Sequence, residues 1–137
     1  MNRYMLDTNT CIYIIKYHGS STSLYARMST ISPDDVAISS IVAAELWYGV
    51  ALSKKKRQNE LALKEFLAYA EVLDWPKGAA IPYSQIRAGF KVKGTPIGAM
   101  DLLIAAHAVS LDAILVTDNT AEFQRVPGLR LENWIER

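Results

Sequence analysis

Three acidic side chains stand alone in apolar stretches of the sequence, and together they could form a metal site. Each is the only charged residue of its stretch: Asp7 in residues 4–15, Glu45 in residues 36–53 and Asp101 in residues 94–111. Burying an unpaired carboxylate is costly, so such groups are normally paired with a cation, protonated or bound to a metal. If the three acids converge, we expect a divalent cation with oxygen ligands, and Mg²⁺ or Mn²⁺ suits such ligands.

The position of Asp7 has two interpretations. It follows the apolar run Tyr4–Leu6 and precedes a helix-like segment, and open α/β sheets bind ligands at such strand ends. Asp, Thr and Asn are also good helix N-caps. The recurrence of a lone acid in two further apolar stretches favours the functional interpretation.

The other two acids are expected on helices. In a helix over Ser40–Leu52, Glu45 shares a face with Ile41, Val42 and Gly49, which predicts an inward-facing acid; the alternative is a surface glutamate. Asp101 lies in the first turn of a later helix, where the helix dipole alone could explain a negative charge. The apolar residues that follow it indicate a buried helix instead.

Apolar runs and helical periodicity alternate along the chain and predict the elements that position these acids. Strands are expected at residues 4–6, 36–39, 71–75, 113–117 and 128–132, and helices at 10–18, 23–30, 40–52, 58–70 and 80–92 and, after a loop at 94–98, around Asp101. In the helix at 58–70, Leu61, Leu63, Phe66, Leu67 and Ala70 are expected to face inward. The alternation predicts an α/β fold with a parallel sheet of four to five strands and helices on both faces.

The composition sets limits on the class of protein. The 137 residues are 50% hydrophobic, which predicts one globular domain over residues 1–137. The net charge of +1 gives no global signature of nucleic-acid binding, so any such role must rest on local patches. Cys11 is the single cysteine and fits a reducing compartment. No signal peptide or membrane-spanning apolar run is recognisable, so we expect a cytoplasmic protein.

Two basic groups are candidates for RNA contacts. Arg87, Lys91 and Lys93 lie near the end of the helix at 80–92, and Lys54–Arg57 begins the next polar segment upstream. The alternative for such runs is an ordinary solvated helix surface. His107 is expected to be a packing histidine, and His18 a residue at a helix end.

Four ordered stretches resemble the PIN-domain ribonucleases and, more narrowly, the VapC toxins of bacterial toxin–antitoxin modules. They are Tyr4–Asn9, Ile38–Leu46, Pro96–Ala108 and Leu115–Asn119 with Glu122–Phe123. The resemblance implies Mg²⁺- or Mn²⁺-dependent cleavage of structured RNA, from tRNA or ribosomal RNA, with Asp7, Glu45 and Asp101 as metal-binding catalytic acids. It also implies a VapB-type antitoxin partner and a homodimer.

The fourth acid of the family departs from the usual pattern. Many PIN domains place it two residues after the threonine that ends the strand, where this chain has Asn119 after Thr117, whereas Asp118 comes one residue earlier. We take Asp118 as the fourth catalytic candidate, with Asn119 as the alternative. Thr8, Asn9, Thr117 and Asn119 are candidate hydrogen-bond partners of the carboxylates.

Two other functions compete with a ribonuclease. A phosphatase of the haloacid-dehalogenase type also begins with a strand ending in Asp, but it needs a second acid where this chain has Asn9. A non-catalytic RNA-binding module would gain nothing from grouped acids. For the antitoxin, the candidate apolar contact residues are Trp47, Tyr48 and Leu52 with Tyr13, Tyr17, Leu24 and Tyr25. Core packing and homodimer contacts are equal alternatives for these side chains.

Overall fold

The computed structural model describes residues 3–17 and 22–135, which form a five-stranded parallel sheet flanked by helices. The strands are β1 (Tyr4–Leu6), β2 (Val36–Ser39), β3 (Glu71–Leu73), β4 (Ile114–Val116) and β5 (Arg130–Glu132). The helices are α1 (Thr8–Tyr17), α2 (Thr22–Ser29), α3 (Ser40–Leu52), α4 (Lys56–Tyr69), α5 (Ala80–Lys93), α6 (Ala99–Ser110) and α7 (Thr120–Phe123). The expected α/β fold is confirmed.

The sheet order is β3-β2-β1-β4-β5, with β1 in the centre. Tyr4 pairs with Val36 on one side and with Ile114 on the other, both in parallel register. All of β1 and β2 is buried, as expected of parallel strands covered by helices on both faces. The chain adds β2 and β3 on one side of β1, and then β4 and β5 on the other side. The switch point of the sheet therefore lies between β1 and β4, and open α/β sheets bind their ligands at such a point.

Helix α3 has the predicted bounds, and its start is fixed by a side-chain cap. The Ser39 hydroxyl accepts a hydrogen bond from the Ile41 N–H at 3.1 Å, which satisfies one of the free donors at the helix start. The same hydroxyl lies 2.8 Å from Nδ1 of the buried His107 on α6. His107 is therefore a packing histidine, as expected, and joins α6 to the beginning of α3.

Several sequence expectations need correction. Leu61 is exposed and does not face the core, whereas Leu24 is fully buried, which leaves core packing as its role among the alternatives. The strands at 71–75, 113–117 and 128–132 are each shorter than predicted, and the short helix α7 was not predicted. His18 lies outside the described residues. Within the described ranges, no helix has the length and apolar character that crossing a bilayer requires.

The last described residues are tied back to the sheet by an aromatic and ionic cluster. The Trp134 ring packs on Tyr4 with centroids 5.5 Å apart, and the Arg27 guanidinium lies 5.7 Å from both centroids. Arg27 and the Trp134 indole both donate to Glu132, through Nε at 2.7 Å and Nε1 at 2.7 Å. This cluster fixes α2 and the end of the chain against β1.

Candidate active site

Asp7 lies at the carboxyl end of the central strand and is 4% exposed. Its Oδ1 accepts the Thr10 N–H at 2.8 Å, and its Oδ2 accepts the Thr117 hydroxyl at 2.5 Å. Asp7 therefore does cap α1, but it also receives a hydroxyl from the end of β4. Burial raises the pKa of Asp7, the bonds from Thr117 and Thr10 oppose that rise, and the nearby charge of Asp118 adds to it.

Glu45 reaches the same edge from α3. Its Oε1 accepts the Thr8 hydroxyl at 2.6 Å, which ties Glu45 to the residue after Asp7. The side chain is half-buried, so Glu45 faces the site as expected. Two threonines, Thr8 and Thr117, thus orient the carboxylates of Glu45 and Asp7, in the role that the sequence suggested for them.

Asp101 completes the group from the first turn of α6. Burial, followed by the charges of Glu122, Asp7 and Glu45, raises the pKa of Asp101 to about 6. Like charges raise a carboxyl pKa in this way only at short range. The structure therefore brings together Asp7, Glu45 and Asp101, which the sequence predicted, and adds Glu122.

Glu122 is the acid that sequence reasoning missed. It lies in α7, where its Oε2 accepts the Asn119 side-chain N–H at 3.0 Å and its Oε1 accepts the Gly98 N–H at 3.4 Å. Gly98 directly precedes α6, and the position of its absent Cβ lies 3.7 Å from Oδ2 of Asp101. The available signal was the motif that follows β4, since Glu122 follows Asn119 by three residues.

Asp118, our fourth candidate, lies near Asp7. Its Oδ1 accepts the Asn133 side-chain N–H at 3.1 Å, and it lines a groove with Asn9 and Lys16. Its charge adds to the rise in the pKa of Asp7 but is not among those that raise the pKa of Asp101. Asn119, the alternative residue, is hydrogen-bonded to Glu122. Glu122 is therefore a further candidate for the fourth acid.

The donor set suits a hard divalent cation, because every candidate ligand is a carboxylate oxygen. Among the residues that the structure describes, no three acidic, histidine or cysteine side chains are arranged to hold an ion by themselves. Mg²⁺ usually keeps several waters and takes only one or two carboxylates from the protein. A spread cluster of four acids therefore fits a hydrated cation, whose charge would relieve the repulsion at Asp101.

The predicted RNA-binding residues are exposed on α5 and at the start of α4. Arg87 and Lys91 line a groove of about 470 Å³ between α5 and the loop at 94–98. Lys93 is exposed in the last turn of α5, and Lys54–Arg57 is exposed where α4 begins. The groove at Arg87 borders Ala99 and Leu102, which flank Asp101 in sequence.

Comparisons with known proteins agree with this geometry. The PIN-domain family model matches residues 4–129. Ribonuclease VapC2 from Rickettsia felis is 47% identical, covering 96% of this chain and 97% of its own length. The tRNA(fMet)-specific endonuclease VapC from Salmonella typhimurium is 41% identical, covering 98% of this chain and 99% of its own length.

Solved structures give the same result. VapBC2 from Rickettsia felis, bound to a promoter DNA fragment, superposes with a TM-score of 0.90 at 46% identity, covering 96% of this chain and 98% of the other. DNA-bound VapBC from Salmonella typhimurium superposes with a TM-score of 0.91 at 41% identity, covering 98% of this chain and 100% of the other. The chain therefore belongs to the PIN-domain family and, within it, to the VapC ribonucleases.

Proposed function

We propose that this chain is a Mg²⁺- or Mn²⁺-dependent endoribonuclease and the toxin of a toxin–antitoxin pair. The observation that supports this most strongly is the convergence of Asp7, Glu45, Asp101 and Glu122 at the switch point of the sheet, where burial and then the charges of the other three acids raise the pKa of Asp101 to about 6. Acids and bases in structural ion pairs neutralise one another, whereas a bound cation would relieve the repulsion within a group of acids.

We assign different roles in phosphodiester hydrolysis to the residues of the site. Asp7 and Asp101 would bind the metal, which supplies a polarised phosphate and a more acidic water. Thr117 and Thr8 hold the Asp7 and Glu45 carboxylates in fixed rotamers through the two short hydroxyl contacts. Glu45 or Glu122 would orient the attacking water or bind a second cation.

The proposed substrate is structured RNA, and tRNA is the first to test because the Salmonella typhimurium relative is named a tRNA(fMet)-specific endonuclease. Arg87 and Lys91 would contact the phosphates beside the acids. A tRNA substrate would also place the protein in the cytoplasm.

The direct test is cleavage of purified bacterial tRNA and ribosomal RNA with Mg²⁺, with Mn²⁺ and with EDTA. We expect site-specific cleavage that EDTA abolishes and that Asp7→Asn removes while circular dichroism shows a folded protein. Cleavage that persists in EDTA would exclude the metal mechanism. RNA binding without cleavage under any metal condition would support a non-catalytic RNA-binding module instead.

We further propose that the antitoxin binds the apolar surface formed by α1, α3 and α4. Two adjoining grooves of about 290 and 260 Å³ share Ile15 and Ala62, and the second extends to Glu45. An antitoxin segment in these grooves would reach the edge of the acid cluster. Trp47, Tyr48 and Leu52, which are exposed on α3, extend the same surface or serve a homodimer.

A further inference from the structure

The groove beside α5 combines features that neither a metal site nor an apolar docking surface requires. Tyr83, Arg87 and Lys91 line it from α5, at helical spacing, and Pro96 and Ile97 line it from the loop that follows this helix. Its volume of about 470 Å³ is typical of a small-molecule site. We name it the α5 groove.

Its two central side chains are held in place before any ligand arrives. Arg87 Nη1 donates to the Tyr83 hydroxyl at 2.8 Å, and its guanidinium lies 5.9 Å from the Tyr83 ring centroid. The Trp75 ring packs edge-on against Tyr83 at 6.3 Å, and its indole Nε1 donates to the Leu103 carbonyl at 2.9 Å. Because Leu103 belongs to α6, the pair is anchored to the helix of Asp101.

The loop side of the groove is anchored to the other half of the site. Gly94 ends α5 with a φ of 69°, a left-handed conformation that favours glycine. Arg125 donates to the Thr95 carbonyl and lies 4.8 Å from the centroid of the Phe90 ring. At the end of this loop, the Gly98 N–H donates to Glu122 at 3.4 Å. The loop therefore keeps a fixed position between α5 and α7.

The chemistry of the groove matches one nucleotide of an unpaired strand. An aromatic ring and a planar guanidinium accept a base by stacking, and this contact requires a base that is not paired in a helix. Arg87 and Lys91 supply positive charge for the phosphate that follows. Purely electrostatic RNA binding would need no ring, and a purely apolar ligand would need no cations.

We propose that the α5 groove binds an unpaired nucleotide next to the scissile phosphate, with its base stacked on Tyr83 and Arg87. The proposal rests on the proposed function, because it places the RNA relative to Asp101. Ala99 and Leu102 form the groove boundary beside that acid. The groove thus selects RNA loops over helices and is the first determinant of which loop is cut.

The test uses a loop RNA with 2-aminopurine placed in turn at each loop position, because stacking changes the fluorescence of this base. Binding is measured to the full-length Asp101→Asn variant with Mg²⁺, so that the RNA stays intact. We expect a fluorescence change at one loop position and none in the paired stem. Adding Tyr83→Leu should abolish that change and weaken binding about 5- to 150-fold.

Three further variants separate stacking from fold and charge. Tyr83→Phe keeps the ring and should keep the fluorescence change, with a loss of affinity below about 5-fold. Arg87→Gln removes one phosphate contact and should therefore reduce the slope of log binding constant against log salt concentration by about 1. Tyr25→Leu, an exposed tyrosine on α2, is the matched control and should leave both measurements unchanged.

The outcomes distinguish the two proposals. RNA binding without a fluorescence change at any loop position overturns the groove assignment, even if the wild-type protein cleaves RNA. A change that survives Tyr83→Leu in a folded variant overturns it as well. Stacking that depends on Tyr83, combined with no cleavage by the wild type, supports the groove and overturns the nuclease. Failure to bind RNA at all overturns both.

Discussion

Glu122 and Asp118 are four residues apart, and their hydrogen bonds hold them against different parts of the structure. Glu122 is held by Asn119 and by the loop before α6, whereas Asp118 is bonded to Asn133. We therefore expect Glu122→Gln to weaken Mn²⁺ affinity roughly 10- to 100-fold, the scale for losing a group that supports a metal site. Asn119→Ala, which removes the amide that orients Glu122, should have a smaller effect in the same direction.

Asp118→Asn is the matched control for Glu122→Gln, and its Mn²⁺ affinity should fall by less than about 5-fold, below the scale for a supporting ligand. Isothermal titration with Mn²⁺ at pH 7.5 measures all three variants. If Asp118→Asn were the most impaired and Glu122→Gln matched the wild type, the site would use Asp118 as originally predicted from the sequence.

Asp101 should destabilise the metal-free protein at neutral pH. Its folded pKa of about 6 exceeds the ordinary value of 3.8, so the folded state binds the proton more tightly. For this group, stability therefore rises as pH falls through 6 towards 4. Without metal, we expect Asp101→Asn to be more stable than the wild type at pH 7.5 by about 0.5–1.5 kcal/mol, discounted because the side chain is partly exposed to screening solvent.

Urea unfolding in EDTA at pH 7.5 and pH 5 measures the effect of Asp101→Asn, and the gain should shrink at the lower pH. Asp112→Asn, which removes an exposed acid at the opposite edge of the sheet, is the control and should not show this gain. Adding Mn²⁺ should stabilise the wild type and leave Asp101→Asn nearly unaffected. A variant less stable than the wild type in EDTA would contradict the repulsion described above.

At the scale of elements, the pair of His107 and Ser39 joins the helices that bear Asp101 and Glu45. The Ser39 hydroxyl accepts the Ile41 N–H and is also hydrogen-bonded to Nδ1 of His107, as acceptor or donor according to the tautomer of the imidazole. His107→Leu leaves that hydroxyl without its partner on α6, at a cost of about 1–3 kcal/mol. His107→Asn offers an amide near the Nδ1 position, which can donate or accept, and should lose less.

Burial lowers the pKa of His107 from its ordinary value of 6.5, so the unfolded state binds the proton more tightly. The contribution of neutral His107 to the stability of the folded protein is complete above pH 6.5 and is lost as the pH falls below that value. We expect the stability difference between the wild type and His107→Asn to narrow from pH 7.5 to pH 5.5, because the variant has no group that titrates there. Urea unfolding at both values measures it, and a constant difference would show that His107 does not titrate with unfolding.

The elements with strong periodicity or continuous apolar runs were predictable from sequence, and α3 was predicted to the residue. Helix α7 was not, because four residues are too few to show a helical period. Glu122 was missed for the same reason: its place beside Asp101 depends on a turn after β4 and on contacts from Asn119 and Gly98. Leu61 is exposed although its helical spacing predicted an inward position, because the packing of neighbouring helices, rather than local pattern, decides which side is covered.

For the whole molecule, the surface over α1, α3 and α4 should decide whether the toxin can be neutralised. Ile12 is 46% exposed and lines the groove that reaches Glu45. Ile12→Asp places an unpaired charge in a desolvated interface and should weaken binding of the antitoxin at least about 10-fold. Ribonuclease activity should remain. The partner to use is a VapB-type antitoxin, and its binding is measured by titration and by inhibition of cleavage.

Leu111→Asp is the control, since Leu111 is 43% exposed at the far end of α6. It should leave both partner binding and inhibition unchanged. Equal binding by Ile12→Asp and the wild type would show that the antitoxin uses another face.

The central position of β1 makes the acid site depend on residues far apart in the sequence. The Asp7 N–H donates to the Val116 carbonyl at 3.0 Å, and the Asp7 carboxylate accepts the Thr117 hydroxyl. A fragment that stops before residue 114 therefore contains Asp7, Glu45 and Asp101 but lacks the strand that positions Asp7, and it lacks Glu122 as well. We expect such a truncated chain to have no ribonuclease activity.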